Sequence, residues 1–166
     1  MFSAGTREVA GRLTSLPFLA LDDEAAYRKH YENTLRSRTI LTFDGLVVRF
    51  PKWQFDHAFF ESANRCQGDK SLFSLKRAKR MDWIEPALKD PTAELYEGWE
   101  KRSKVYTRGT RVCVVCGEYV IVIRLRNDGK SASFITAFPA EALTLEKIRS
   151  GPRWVIARRK KRLTAG

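Results

Sequence analysis

The tightest constraint on this fold is a pair of alternating runs joined by a turn. Tyr119–Arg126 and Ser131–Phe138 are rich in β-branched and aromatic residues and flank Asn127-Asp128-Gly129. Such runs around an Asx-Gly turn specify an antiparallel hairpin. A three-residue loop closed by Gly129 pairs Arg126 with Lys130, Arg124 with Ala132, Val122 with Phe134 and Val120 with Thr136. Tyr119, Ile121, Ile123, Leu125, Ile135 and Ala137 then share one face, while Arg124, Arg126, Lys130 and Thr136 share the other. A two-residue loop shifts the register by one and sends Thr136 to the core. The three-residue reading segregates apolar from polar side chains more cleanly and is the expectation taken forward.

Further strands are expected at Ala93–Trp99, Val105–Thr107 and Arg111–Val115, punctuated by Gly109 and Gly117. The first half of the chain reads differently. Asp22 and Asp23 open a helix through Tyr27 and Leu35, with Arg36 and Arg38 at its end, as the helix dipole prefers. Ile40–Phe50 reads as a hairpin turning at Asp44-Gly45. Phe55, Ala58, Phe59, Ser62, Ala63 and Cys66 fall on one helical stripe. Ser74 caps a further helix through Leu75, Ala78, Met81 and Ile84, which Pro86 is expected to end or kink. Glu141–Arg149 forms a last helix, stopped by Gly151-Pro152. The fold class is therefore α+β, with N-terminal helices on one face of a four- to five-stranded antiparallel β-meander. Residues 1–21 are expected as a loose arm, 22–155 as one domain and 156–166 as a basic flexible tail.

Charge narrows the function. Lys and Arg outnumber Asp and Glu by 31 to 19, a formal net charge of +12. Such a surplus draws polyanions, and nucleic acid is the partner it most commonly serves. No stretch is long and apolar enough for a membrane span, and no secretory layout is evident, so a cytoplasmic protein without a membrane partner is expected. The 3 cysteines do not form a disulfide framework. Cys113 and Cys116 have zinc or redox spacing, but on a strand their odd separation sends the sulfurs to opposite faces. Neither a metal nor any other cofactor is expected.

Two features carry candidate chemistry. His57 lies off the apolar stripe in the first turn of its helix, with Glu61 one turn on. The helix N-terminus lowers a histidine's pKa and a carboxylate at i+4 raises it, so titration near neutrality is expected, as general acid–base catalysis needs. An exposed or capping imidazole is the plainer reading. His30 is expected to be solvated. The second feature is the polar face of the hairpin with Arg124, Arg126 and Lys130, joined by the basic side of the Ser74 helix: Lys76, Arg77, Lys79 and Arg80. Attack of a 2′-hydroxyl on its neighbouring phosphate needs a base, an acid and cations, and no metal. Trp53, Trp83, Trp99, Tyr96 and Tyr106 serve either as stacking surfaces for bases or as core.

The stretch Phe55-Asp-His57-Ala-Phe-Phe-Glu-Ser, the run from Met81 to Pro91, Glu94-Leu-Tyr-Glu-Gly-Trp99 and the closing strands ending Phe134-Ile-Thr136-Ala-Phe-Pro139 together resemble the phage-type branch of the barnase, EndoU, tRNA-cleaving colicin and RelE-like (BECR) nuclease superfamily. The resemblance spans about residues 53–154. It implies a metal-independent, toxin-like endoribonuclease acting on tRNA or mRNA, with an acidic inhibitor or immunity protein as a further partner. It makes His57 the acid or base, Arg124 a transition-state cation, Thr136 a positioning hydroxyl and Lys101 a weaker addition. A non-catalytic nucleic-acid binder on the same scaffold is the alternative, and a protein that meets an acidic partner is a third.

The tail carries five consecutive cations, Arg158, Arg159, Lys160, Lys161 and Arg162. They are expected to contact phosphate without sequence preference. Removing residues 156–166 should weaken RNA binding and flatten its salt dependence, with the melting temperature nearly unchanged. A collapse of the melt would show the tail to be structural.

Overall fold

The computed structural model describes residues 13–63, 70–100, 104–106 and 110–154. In chain order the first element is helix α1 (Glu24–Tyr31), continued by a π turn over Glu32–Arg36. Asp23 caps it, its carboxylate accepting from Ala26 N at 2.8 Å. Strands β1 (Ile40–Leu41) and β2 (Val47–Arg49) follow as the expected hairpin, with Gly45 at φ +88° in its turn. Next come helix α2 (Gln54–Ala58), strands β3 (Phe60–Glu61) and β4 (Leu72–Phe73), and helix α3 (Leu75–Ala78). A 3₁₀ turn (Met81–Trp83) leads into helix α4 (Ile84–Leu88). The remaining elements are β5 (Glu94–Glu97), β6 (Trp99–Glu100), β7 (Val105–Tyr106), β8 (Arg111–Cys116), β9 (Tyr119–Leu125), β10 (Ser131–Pro139) and helix α5 (Ala142–Arg149).

The α+β class holds, and the sheet is larger than the expected meander. Six strands run in the order β1-β2-β10-β9-β8-β5. All pairs are antiparallel except β2 with β10, which run parallel. The N-terminal hairpin thus extends the sheet beyond the meander. β3–β4 and β6–β7 are separate two-stranded ladders. Among the described residues no helix is long and apolar enough to cross a membrane.

The hairpin register departs from expectation twice. Arg126 N donates to Ser131 O at 2.9 Å, so the loop holds four residues, Asn127–Lys130. The ladder then sets Leu125 opposite Ala132, Arg124 opposite Ser133 and Ile123 opposite Phe134. A one-residue slip should have sent Thr136 to the wrong face. A bulge at Ile135 reverses it, and beyond the bulge Thr136 faces Val122 and Phe138 faces Val120. Phe134 gains a place in the helix-covered core, fully buried against Phe50 (ring centroids 4.9 Å) and Phe59 (6.4 Å).

The helices α1, α2, α3 and α4 bury Tyr27, Tyr31, Phe55, Ala58, Phe59, Ala78, Ile84 and Leu88 against Val112, Val114, Ile121, Ile123 and Phe134 of one sheet face. The second face, expected to be open, is half covered. Helix α5 lays Leu145 and Ile148 over Cys113, Val115, Val120, Val122 and Phe138. Cys113 and Cys116 therefore face opposite sides, as their spacing requires, and burial pushes the thiols up to about 11 and about 12.

Three local expectations are corrected. The Phe55–Cys66 helix stops at Ala58, because Phe60 pairs across to Phe73 and packs on Phe55 instead of facing water. The expected Ser74–Ile84 helix ends at Ala78, well before Pro86, and a 3₁₀ turn (Met81–Trp83) separates it from α4; Pro86 lies in the first turn of α4, where its missing N–H is not needed. Residues 13–21, expected within a loose arm, are docked: Leu13 is buried, Leu19 N donates to Lys79 O at 2.8 Å, and Phe18 stacks on Trp83 at 5.6 Å. Residues 1–12 and 155–166 lie outside the described residues.

Truncating Phe134 to alanine should lower the unfolding free energy by about 3–5 kcal/mol through the cavity it leaves. The same change at Leu143, which is 71% exposed on α5, should stay within about 0.5 kcal/mol. Urea midpoints measure both, and equal effects would overturn this assignment of the core.

Candidate functional site

Cross-strand partners share a face of the sheet, so the ladder lays out the uncovered half of the second face row by row. Arg49 on β2 is opposite Ser133 on β10, Ser133 is opposite Arg124 on β9, and Arg124 is opposite Arg111 on β8. Three arginines and a serine thus cross four adjacent strands on one line. Strands lie about 4.8 Å apart, so the four residues share a short stretch of the face. At its far end Gly98 N donates to Arg111 O at 2.7 Å. A Cβ on Gly98 would come within 2.5 Å of Arg111 Cγ and 2.9 Å of its Cδ. The missing side chain is what lets the Arg111 stem lie where it does.

Helix α2 brings His57 to this region. It packs along β10 beyond the short β2, and Gln54 Nε2 donates to the bulge carbonyl of Ile135 at 2.5 Å. Phe55 and Ala58 point inward, which leaves Asp56 and His57 exposed. Arg28 holds Asp56, with Nη2 to Oδ1 at 2.7 Å. Partial desolvation lowers the His57 pKa from its ordinary 6.5, and the charges of Lys70, Arg111 and Arg77 lower it further. The expected balance with Glu61 does not arise. With the helix ended at Ala58, Glu61 sits on β3 and approaches Arg77 at 3.6 Å.

Arg77 is the buried member of the group, its side chain only 17% exposed. Its Nη1 donates to Ala58 O at 3.2 Å and to Thr136 Oγ1 at 3.3 Å, and its guanidinium lies 5.4 Å from the Phe138 ring centre. Burial lowers its pKa while Glu61 opposes that shift; a guanidinium keeps its charge regardless. Thr136 is itself buried, and its hydroxyl helps to fix the Arg77 guanidinium. Beside this cluster Glu61, Lys70, Lys76, Arg77, Glu141 and Thr144 line a cleft of about 540 Å³ between β3–β4 and α5.

The expected residues divide. His57, Arg77, Thr136 and Arg124 fall in one region, linked through Arg111 and Arg77; Lys76 lines the adjoining cleft. Lys79 and Arg80 do not join them, because they stack on Phe18 with ring-centre distances of 4.3 and 4.7 Å. Arg126 and Lys130 are exposed at the β9–β10 loop, at the end of the sheet. Lys101 and Arg158–Arg162 lie outside the described residues. His30, expected to be solvated, is half-buried and pairs with Asp82 at 2.6 Å.

Sequence reasoning missed Arg49, Lys70 and Arg111. The β8–β9 turn carries a usable signal for Arg111. A two-residue turn at Gly117-Glu118 pairs Cys116 with Tyr119, and counting back pairs Arg111 with Arg124. Arg49 has none, since its strand joins the sheet across more than eighty residues of chain.

No family model, curated protein or solved structure matches this chain. The site therefore stands on its geometry.

Replacing Lys70 or Arg111 with glutamine removes one cation near His57, so its pKa should rise toward 6.5. An NMR titration of the protein's 2 histidines reads this directly. Because the folded pKa lies below the unfolded one, the native state disfavours the proton at this site. His57's contribution to stability should therefore fall as pH drops through 6.5 toward the lowered value. A wild-type His57 pKa above 6.5 would refute this electrostatic picture.

Proposed function

We propose that this protein is a metal-independent endoribonuclease, with the arginine row as its phosphate track and His57 as its base. The observation that carries the reading is the row Arg49–Ser133–Arg124–Arg111, whose Arg111 is one of three cations that, after desolvation, lower the pKa of His57. An RNA backbone bound along such a row would release its condensed counterions.

A lowered pKa keeps His57 neutral near pH 7, the form that accepts a proton. In the proposed step its imidazole takes the proton from a ribose 2′-hydroxyl. The freed oxygen attacks the adjacent phosphorus, the bond from phosphorus to the 5′-oxygen breaks, and that oxygen takes a proton from water. The products are a 2′,3′-cyclic phosphate and a 5′-hydroxyl. Arg124 and Arg111 stabilise charge on the phosphate oxygens, while Thr136 holds Arg77 in place. Kinship with the BECR nucleases has support in the order of elements: a histidine-bearing helix, an antiparallel meander, then a late strand with Thr136-Ala-Phe. The N-terminal hairpin and α5 would be additions to that pattern. A toxin-like role, with tRNA or mRNA as substrate and an acidic inhibitor covering the arginine row, belongs to the same proposal.

The arginine row would serve a non-catalytic nucleic-acid binder equally well, and cleavage separates the two. The protein should cut RNA in EDTA and leave DNA of the same sequence intact, since DNA lacks the nucleophile. His57→Ala should slow cutting by about 10²–10⁴-fold, the usual weight of a general acid or base. Arg124→Ala should have an effect of about 10²–10³-fold, as loss of one oxyanion donor does. Both variants should fold and still bind RNA. Salt-sensitive binding without cleavage would favour the binder; undiminished cutting by His57→Ala would remove that residue from the mechanism.

A further inference from the structure

We infer that the site takes single-stranded nucleic acid, with one base laid on the indole of Trp53. The inference rests on the nucleic-acid reading above and names the substrate form that the site accepts. Four aromatic residues lie between 50 and 59 near the start of α2 apart from Phe60's strand: Phe50, Phe55 and Phe59 are 4% exposed or less, and Trp53 is 69% exposed. The fold thus buries its neighbours and leaves the largest ring in water.

Its position is fixed. Gln54 N donates to Pro51 O at 3.1 Å and Phe55 N to Lys52 O at 3.4 Å, so the helical turn begins before α2, and Trp53 has helical angles (φ −67°, ψ −18°). Tyr31 Oη anchors the same turn by donating to Pro51 O at 2.8 Å. His57 follows Trp53 by four residues. Side chains at that spacing are neighbours on a helix surface, with Cβ atoms about 5–6 Å apart. Gln54, Phe55 and Ala58 occupy the inward side, so Trp53 and His57 share the outward one.

The surroundings name the occupant. Lys52, paired with Glu32 at 3.5 Å, is exposed next to Trp53 in sequence, and Lys70, Arg111 and Arg77 act on His57 one turn further along. A flat apolar ring one helical turn from a histidine set among cations suits a ligand with π-faces on an anionic backbone, which is a nucleotide strand. In a duplex the base faces are already stacked and paired, so only an unpaired base can lie on an exposed indole. The stacked base then belongs to a nucleotide next to the phosphate that meets His57.

Fluorescence anisotropy of the full chain with a labelled 2′-deoxy oligomer, which cannot be cleaved by 2′-hydroxyl attack, tests this in single-stranded and duplex form. Trp53→Ala should weaken single-strand binding by about 5- to 150-fold, the weight of one base–aromatic stack, and Trp53→Phe should retain most of it. Duplex binding should be weaker than single-strand binding in the wild type and the same in all three proteins. The thermal melt should not move, since Trp53 is exposed. Unchanged single-strand affinity in Trp53→Ala, or an equal loss for duplex, overturns the inference while leaving the nuclease reading in place. A wild-type protein that binds neither form overturns both.

Discussion

On β10, Ile135 is one residue more than the ladder can pair: Phe134 lies opposite Ile123 and Thr136 opposite Val122. Its carbonyl, displaced from the ladder, receives the Gln54 side-chain amide. This arrangement does two things. It lets one strand send Phe134 into the helix-covered core and Thr136 and Phe138 to the opposite face. It also ties α2 to the strand edge that the short β2 leaves exposed. Bulges re-aim side chains and end pairing in just this way. Without this one, Thr136 would lie in the core, Arg77 would lose its hydroxyl partner, and α2 would lose its Gln54 tie to the strand edge.

Around that anchor the protein gathers cationic side chains. Arg49, Arg124 and Arg111 share a line across the sheet, Gly98 yields room to the Arg111 stem, and Arg77 is buried with Glu61 at 3.6 Å as a partial counter-charge. Helix α5 covers the apolar half of the same face, and Arg49 and Arg124 lie exposed beyond it.

Much of the fold was legible because it is local. Asp23 as a cap, the Asp44-Gly45 turn, the Ser74 cap and the three long strands follow from residues within a few positions of one another. The helix of α2 was overextended because its apolar stripe runs on through Phe59; the neighbouring Phe60 is what makes a strand more favourable. The parallel contact of β2 with β10 has no local signal, so Arg49 was invisible. The hairpin shows a different limit. Its loop length was misjudged by one residue and an unforeseen bulge made up the difference, so Thr136 reached the expected face opposite Val122 instead of Val120. Agreement about a face was reached here by two compensating departures.

Net charge was the strongest clue from composition, yet it says little about where a ligand binds. Lys79 and Arg80 belong to the most basic stretch of α3 and its C-terminal turn, and both end on Phe18, holding down the N-terminal segment. The cations that act on His57 come from three separate parts of the chain: Lys70 before β4, Arg77 on α3 and Arg111 on β8. Partial desolvation comes first in lowering the proton affinity of His57, and the field of these cations lowers it further. The same field would act on a nearby anion with opposite sign, drawing it in. A histidine beside a carboxylate would hold its proton more tightly; set among cations, this one is held in its neutral form. The proposed nuclease reading would use both effects at once, a neutral imidazole and a surface that draws phosphate.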